Sequence, residues 1–251
     1  VPITLALACT ALACGFADDA VPEPLLKPGD RVAFVGGSLW EAERRSGRFE
    51  AERTMNGPAD VTFRHLGWAG DMADQSARRF FKTAKEGREH LLEHVDLVEP
   101  TVIFVAYGQA ESLPGGMSVD DFEQNMESLL DELIKRTDRV VLVSPADAEP
   151  YAAAVRSIAG RRGLRVLTEE AVAKPLRSQR VAAAPIESLI REKNDLFFQR
   201  HRPQNETYLR GFRAHEQGNN AVEIEQFEPL VAAKDAEIQA LRQEIVKAET
   251  E

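Results

Sequence analysis

The residues of this sequence best placed to do chemistry lie in Val32-Ala33-Phe34-Val35-Gly36-Gly37-Ser38-Leu39, where a hydrophobic run passes through two glycines into a serine at the start of a helical segment. The glycines permit a tight turn, and a helix N-terminus sets backbone N–H groups and a positive dipole end beside the serine hydroxyl. That setting suits a nucleophile whose attack creates an oxyanion. It equally suits a Ser38 that only caps the helix. Two further loops follow apolar runs in the same way: Leu66-Gly67-Trp68-Ala69-Gly70-Asp71 and Ala106-Tyr107-Gly108-Gln109-Ala110-Glu111-Ser112.

A serine without a neighbouring base stays protonated at neutral pH, so the histidines matter. His65 ends the second apolar run, where a structural role is expected. His90 and His94 stand one helical turn apart, a metal-like spacing with no third ligand in view. His201 and His215 belong to a polar arm that could fold back over a cleft, and either is a candidate base.

The elements that must position these groups follow from the apolar pattern. Arg31 to Val35, Val61 to Leu66, Thr101 to Ala106, Arg139 to Val143 and Leu164 to Leu167 read as strands. Amphipathic stretches of helix length lie between them, at Gly87 to Val98, Ser118 to Arg136 and Tyr151 to Arg161, with Ser118 and Asp121 as an N-terminal cap. This alternation predicts a parallel sheet covered on both faces, with every strand-to-helix junction on one edge, where such sheets bind ligands. The expected fold is a flavodoxin-like three-layer α/β/α sandwich with a central parallel five-stranded sheet, over residues 27–184, plus a C-terminal helical or extended arm over 185–251. In the arm, Pro185 to Arg200 reads as helix, Arg202 to Val222 as polar loop and Phe227 to Glu251 as a charged helix. Val231, Ile238, Leu241, Ile245 and Ala248 form an a/d-like stripe interrupted by Lys234, which either packs on its own domain or mediates self-association.

On these loops the chain resembles the SGNH (GDSL-type) hydrolase family, over roughly Lys27 to Leu167. In that family a GDS-type turn gives the serine, a glycine after the second strand and the asparagine of a GxND motif complete the oxyanion hole, and a DxxH block near the C-terminus supplies the base. The resemblance implies that Ser38 is the nucleophile position and Gly70 the oxyanion glycine. Gly37 stands where the family has aspartate, Ala110 replaces the oxyanion asparagine, and Glu111 replaces the acidic residue after it. After the fifth strand the chain reads Thr168-Glu169-Glu170-Ala171-Val172-Ala173-Lys174-Pro175, with no histidine until His201, so the DxxH block is missing. The implied activity is ester hydrolysis of the carbohydrate-esterase or lipase type on a small ester or acylated carbohydrate, impaired by these losses. No cofactor and no metal are implied. The alternative is a non-catalytic glycan- or protein-binding or assembly module on the same fold.

Composition narrows the partners. A formal charge of −10 over 251 residues disfavours nucleic acid and anionic membrane surfaces. Hydrophobic content of 43% with 29% charged residues is that of a globular protein. Val1 to Ala17 carries no charge, is rich in Ala and Leu, and ends Gly15-Phe16-Ala17, which predicts a signal peptide cut after Ala17 rather than a transmembrane span. Secretion or periplasmic location is expected, with lipid attachment at Cys14 as the lesser alternative. Cys9 and Cys14 both lie inside this run, so the mature chain would hold no thiol. Within the arm, Arg200, Arg202, Arg210 and Arg213 alternate with Phe197, Phe198, Tyr208 and Phe212, a cationic and aromatic strip suited to docking on an acidic surface, its own domain first.

Overall fold

A computed structural model describes residues 24–79, 83–173, 180–202, 215 and 221–250. The expected signal peptide, both cysteines, and the arm residues Tyr208, Arg210, Phe212 and Arg213 lie outside the described residues. Five parallel strands run in the order β2-β1-β3-β4-β5: β1 (Arg31–Gly36), β2 (Thr62–Gly67), β3 (Val102–Ala106), β4 (Val140–Ser144) and β5 (Arg165–Thr168). Each begins and ends within one residue of its expected bounds. The order is that of a doubly wound sheet, and the expected flavodoxin-like sandwich is the fold the chain adopts.

Alternation along the strands divides the core between the two faces. Ala33, Val35, Ile103, Val105, Val140 and Leu142 face one side, under α3 (Ala84–Val98), α4 (Val119–Ile134) and α5 (Glu149–Arg162). Val32, Phe34, Val102, Phe104, Val141 and Val143 face the other, under α1 (Ser38–Ser46), α2 (Arg48–Asn56) and α6 (Glu169–Ala173). β3 and β4 are buried along their whole length, as their unbroken apolar sequence requires. The Ser118 hydroxyl accepts from the Asp121 N–H at 3.2 Å and so starts α4 where expected. Gly163 ends α5 in the left-handed conformation, at φ 65°.

The C-terminal segment is largely helical where it is described, and it packs against the α/β/α domain. α7 (Arg180–His201) crosses the expected boundary at residues 184 and 185, and α9 (Phe227–Thr250), which follows the short α8 (Ala221–Ile224), packs along α7. Phe197 and Val231 belong to the main core. Together α7 and α9 cover the free edge of β2: Lys193 Nζ donates to the Phe63 carbonyl at 3.0 Å, Gln239 Nε2 donates to the Val61 carbonyl at 3.2 Å, and Arg64 pairs with Asp235 at 2.6 Å. An uncovered edge would offer those carbonyls to another strand. The α9 stripe is used inside the chain, because Ile238, Leu241 and Ile245 pack with Ala51 and Met55 of α2 and Ile186 and Ile190 of α7. No described helix is long and apolar enough to cross a membrane.

Candidate active site

The three turns expected to meet at the carboxyl edge do meet. β1 leaves the sheet through Gly36 and Gly37, and each is glycine for lack of room. A Cβ on Gly36 would stand 2.2 Å from the Ala106 carbonyl oxygen, and one on Gly37 would stand 2.8 Å from the Asp71 carbonyl oxygen. The second distance gives a physical reason for the missing aspartate: any side chain at 37 would force the β2 turn outward. Gly37 caps α1 with no side-chain hydrogen bond, and Ser38 is the first helical residue, so Ser38 does not act as the cap. Its hydroxyl is exposed at the helix N-terminus and accepts from the Gly70 N–H at 3.1 Å. Gly70 reaches that position at φ 72°, a conformation that favours glycine.

A partly open cleft with a cavity of about 20 Å³ lies beside Ser38. Leu39, Ala106, Ala110, Val143 and Pro145 give it apolar walls, while Asp71, Glu111 and Glu169 bring carboxylates to it. Ala110 lines the same cleft as Ser38 and brings a methyl group to it. Glu111 is a brace: Oε1 accepts from the Ala73 N–H at 2.7 Å and Oε2 from the Gly108 N–H at 2.8 Å, tying the third turn to the second. Burial pushes its carboxyl above the usual carboxylate range, and those backbone N–H groups pull against the shift.

Beneath the cleft lies a buried polar network that the motif reading missed. Asp71 Oδ2 takes Arg78 Nε at 2.6 Å and the Tyr107 hydroxyl at 2.9 Å. Arg78 Nη2 donates to the carbonyls of Leu66, at 2.6 Å, and Gly36, at 3.2 Å. One guanidinium thus ties the ends of β1 and β2 to the turn carrying Gly70, and through Asp71 to the start of the third. Burial pushes the Asp71 carboxyl up, opposed by the charge and hydrogen bond of Arg78 and by Tyr107. Burial likewise drives the Tyr107 phenol well above its ordinary range, with the adjacent Asp71 adding to it. No sequence signal marked Arg78, which lies between motifs. Glu169 was missed too, although its place directly after β5 on the ligand-binding edge was the signal that could have found it.

None of the five histidines lines the cleft. His65 is buried on β2 with Nε2 3.4 Å from Glu50 Oε2, a structural setting as expected. His201 is buried too, its ring 4.9 Å from Phe197 and 5.4 Å from His94, with Nδ1 2.9 Å from the Phe197 carbonyl oxygen. Burial, reinforced by the nearby Arg78 and Arg202, lowers it to about 3, so it is neutral across the physiological range. Neither His201 nor His215 is among the residues lining the cleft, and His215 is exposed. His90 and His94 are buried 4.3 Å apart. Among the described residues no group of three or more His, Cys, Asp or Glu side chains could hold a metal ion.

The start of the polar arm docks on its own domain. The Arg202 guanidinium lies 3.6 Å from the Trp68 ring centroid and 4.9 Å from that of Phe198, so α7 ends against the loop that leads to Gly70.

No protein-family model matches the sequence, and no curated protein matches it. Among solved structures, the chain is similar to an alpha/beta hydrolase enzyme from the metagenome of Lake Arreo, Spain, at 12% identity and a TM-score of 0.47, covering 57% of this chain and 78% of that one. It is similar to a lipase/acylhydrolase from Enterococcus faecalis at 14% identity and a TM-score of 0.41, over 65% of this chain and 95% of that one. It is also similar to a catalytic mutant of an acetylxylan esterase from Geobacillus stearothermophilus, at 14% identity and a TM-score of 0.48, over 62% and 85% of the respective chains.

Proposed function

We propose that this protein is an exported SGNH/GDSL-like hydrolase domain protein, an ester hydrolase of the carbohydrate-esterase or lipase type acting through Ser38, with its catalysis impaired. The observation that carries the reading is the 3.1 Å hydrogen bond from the Gly70 N–H to Ser38 Oγ, which sets an exposed hydroxyl and a glycine amide donor together at the start of α1. A carbonyl carbon attacked by Ser38 Oγ would leave its oxygen near the Gly70 and Ser38 amides and the positive end of α1. The impairment has two sources. A missing side-chain donor at Ala110 costs about a hundredfold or more, and a missing imidazole about 10² to 10⁴. The uncharged run Val1 to Ala17 supports export.

Hydrolysis of short aryl acetates by the wild type and by Ser38→Ala tests this. The wild type turns over slowly and the variant loses that turnover; equal rates would refute the assignment of Ser38. A second reading is favoured by the absence of any histidine from the cleft: a non-catalytic module that recognises a glycan or protein. Saturable binding of an acetylated oligosaccharide, unchanged by Ser38→Ala and without turnover, would select it.

A further inference from the structure

We propose that Glu169 is the general base of the Ser38 site, occupying the place after β5 from which the resemblance would bring a histidine. The proposal rests on Ser38 being the nucleophile. Its grounds are the disposition of the cleft's carboxylates. Asp71 is wholly buried, with Oδ2 taken by Arg78 and Tyr107 and Oδ1 shut away from solvent. Glu111 has both oxygens taken by backbone N–H groups. Glu169 is half-buried at the first position of α6, lines the same cleft as Ser38, and is held through one oxygen only, Oε2, which accepts from the Ala146 N–H at 2.7 Å. Its Oε1 makes no hydrogen bond to a described residue. With no imidazole in the cleft, Glu169 is the one carboxylate among the described lining residues that is not buried, and so the one whose open oxygen a substrate or water can reach. A cavity of about 20 Å³ has room for one water to relay a proton between Glu169 and the hydroxyl.

The steps balance with water as the only co-reactant. As Ser38 Oγ bonds to the ester carbonyl carbon, its proton passes to the Glu169 carboxylate, directly or through one water. When the carbon–oxygen bond to the leaving group breaks, Glu169 returns that proton to the departing alkoxide. Water then attacks the acyl-serine, giving its proton to Glu169 and its hydroxyl to the carbonyl carbon. The bond to Ser38 Oγ breaks, Ser38 regains a proton from Glu169, and the free acid leaves. A carboxylate is a weaker base than imidazole, so turnover is slow.

The test compares kcat/KM on an aryl acetate for the wild type, Ser38→Ala, Glu169→Gln, Glu169→His and Glu170→Gln, with thermal unfolding to confirm that each variant folds. Glu169→Gln retains an acceptor for the Ala146 N–H but cannot take a proton. The expected result is a loss of about a hundredfold in both Ser38→Ala and Glu169→Gln. Glu170→Gln keeps the wild-type rate. Glu169→His keeps activity but moves the acid limb of its pH profile up to the imidazole range, a change that a merely bracing residue would not produce. If Ser38→Ala is inactive while Glu169→Gln matches the wild type, Glu169 is not the base and the Ser38 reading survives. If Ser38→Ala matches the wild type, the reading itself falls and the base falls with it.

Discussion

Arg78 Nε stands 2.6 Å from Asp71 Oδ2, and both side chains are wholly buried beneath the cleft. The pair does more than neutralise itself, since Arg78 Nη2 also holds the carbonyls of Gly36, at the end of β1, and Leu66, near the end of β2. An arginine fork can serve three acceptors in fixed directions, whereas a lysine ammonium on a flexible stem cannot. Removing one member of a buried ion pair leaves the other charge uncompensated, at a cost of about 3–5 kcal/mol. Arg78→Leu is therefore expected to lower unfolding stability by that amount in urea titrations, with Arg78→Lys falling between it and the wild type. A loss under about 1 kcal/mol in Arg78→Leu would mean that the turns hold together without the network.

Ala110 carries a different prediction. It lines the cleft with Ser38, and a side-chain amide there would supply the third oxyanion donor. Ala110→Asn is expected to raise kcat for aryl acetate hydrolysis by as much as about a hundredfold, the usual worth of one such donor. The increase should vanish in the double variant with Ser38→Ala. A wild-type rate in Ala110→Asn would place residue 110 outside the oxyanion hole.

The state of His201 makes stability depend on pH. Its folded value of about 3 lies below the ordinary histidine value of about 6.5, chiefly because the ring is buried. Between those two values the unfolded chain binds a proton that the folded chain does not. The contribution is thus complete above about pH 6.5 and is lost as the pH falls toward 3, at about 1.4 kcal/mol per pH unit. Between pH 7 and 5 the protein should lose about 2 kcal/mol through this group alone. His201→Phe, whose ring can keep the stack on Phe197, should flatten the dependence measured by urea unfolding. An unaltered slope would assign the acid sensitivity to other groups.

These residues show which parts of the molecule could be read in one dimension. The strands and the turns at Ser38, Gly70 and Ala110 were legible because their signals are local: apolar runs ending in glycines, at spacings a parallel sheet imposes. α2 was not, since Arg48–Asn56 is mostly charged and polar and buries Glu50 along with Phe49, Ala51 and Met55. Charged residues that pair across the chain look like surface until their partners are known. Lys193 reaches Glu50 across 143 positions, and Arg202 meets Trp68, a contact no periodicity encodes. The packing of α7 on the domain was hidden for the same reason. Alongside its apolar contacts, α7 is held to the sheet edge by Lys193, a residue whose partners lie far away in the sequence.

That polar anchorage gives the last prediction. Lys193 is fully buried and donates to Glu50 and to the Phe63 carbonyl on the free edge of β2, and His65 lies 3.4 Å from the other Glu50 oxygen. Lys193→Met would leave the Glu50 carboxylate buried beside a neutral imidazole, costing about 3–5 kcal/mol, and would also free the edge carbonyl. Replacing both charges, as in Glu50→Leu with Lys193→Met, removes the desolvated pair altogether and is often neutral or stabilising in a packed interior. The double variant should therefore be more stable than either single one, with a coupling of more than about 1 kcal/mol in a double-mutant cycle read by urea unfolding. Additive losses would show that Glu50 and Lys193 act independently. The anchorage of α7 would then rest on Ile186, Ile190 and Phe197 packing alone, and the ion pair would be incidental to it.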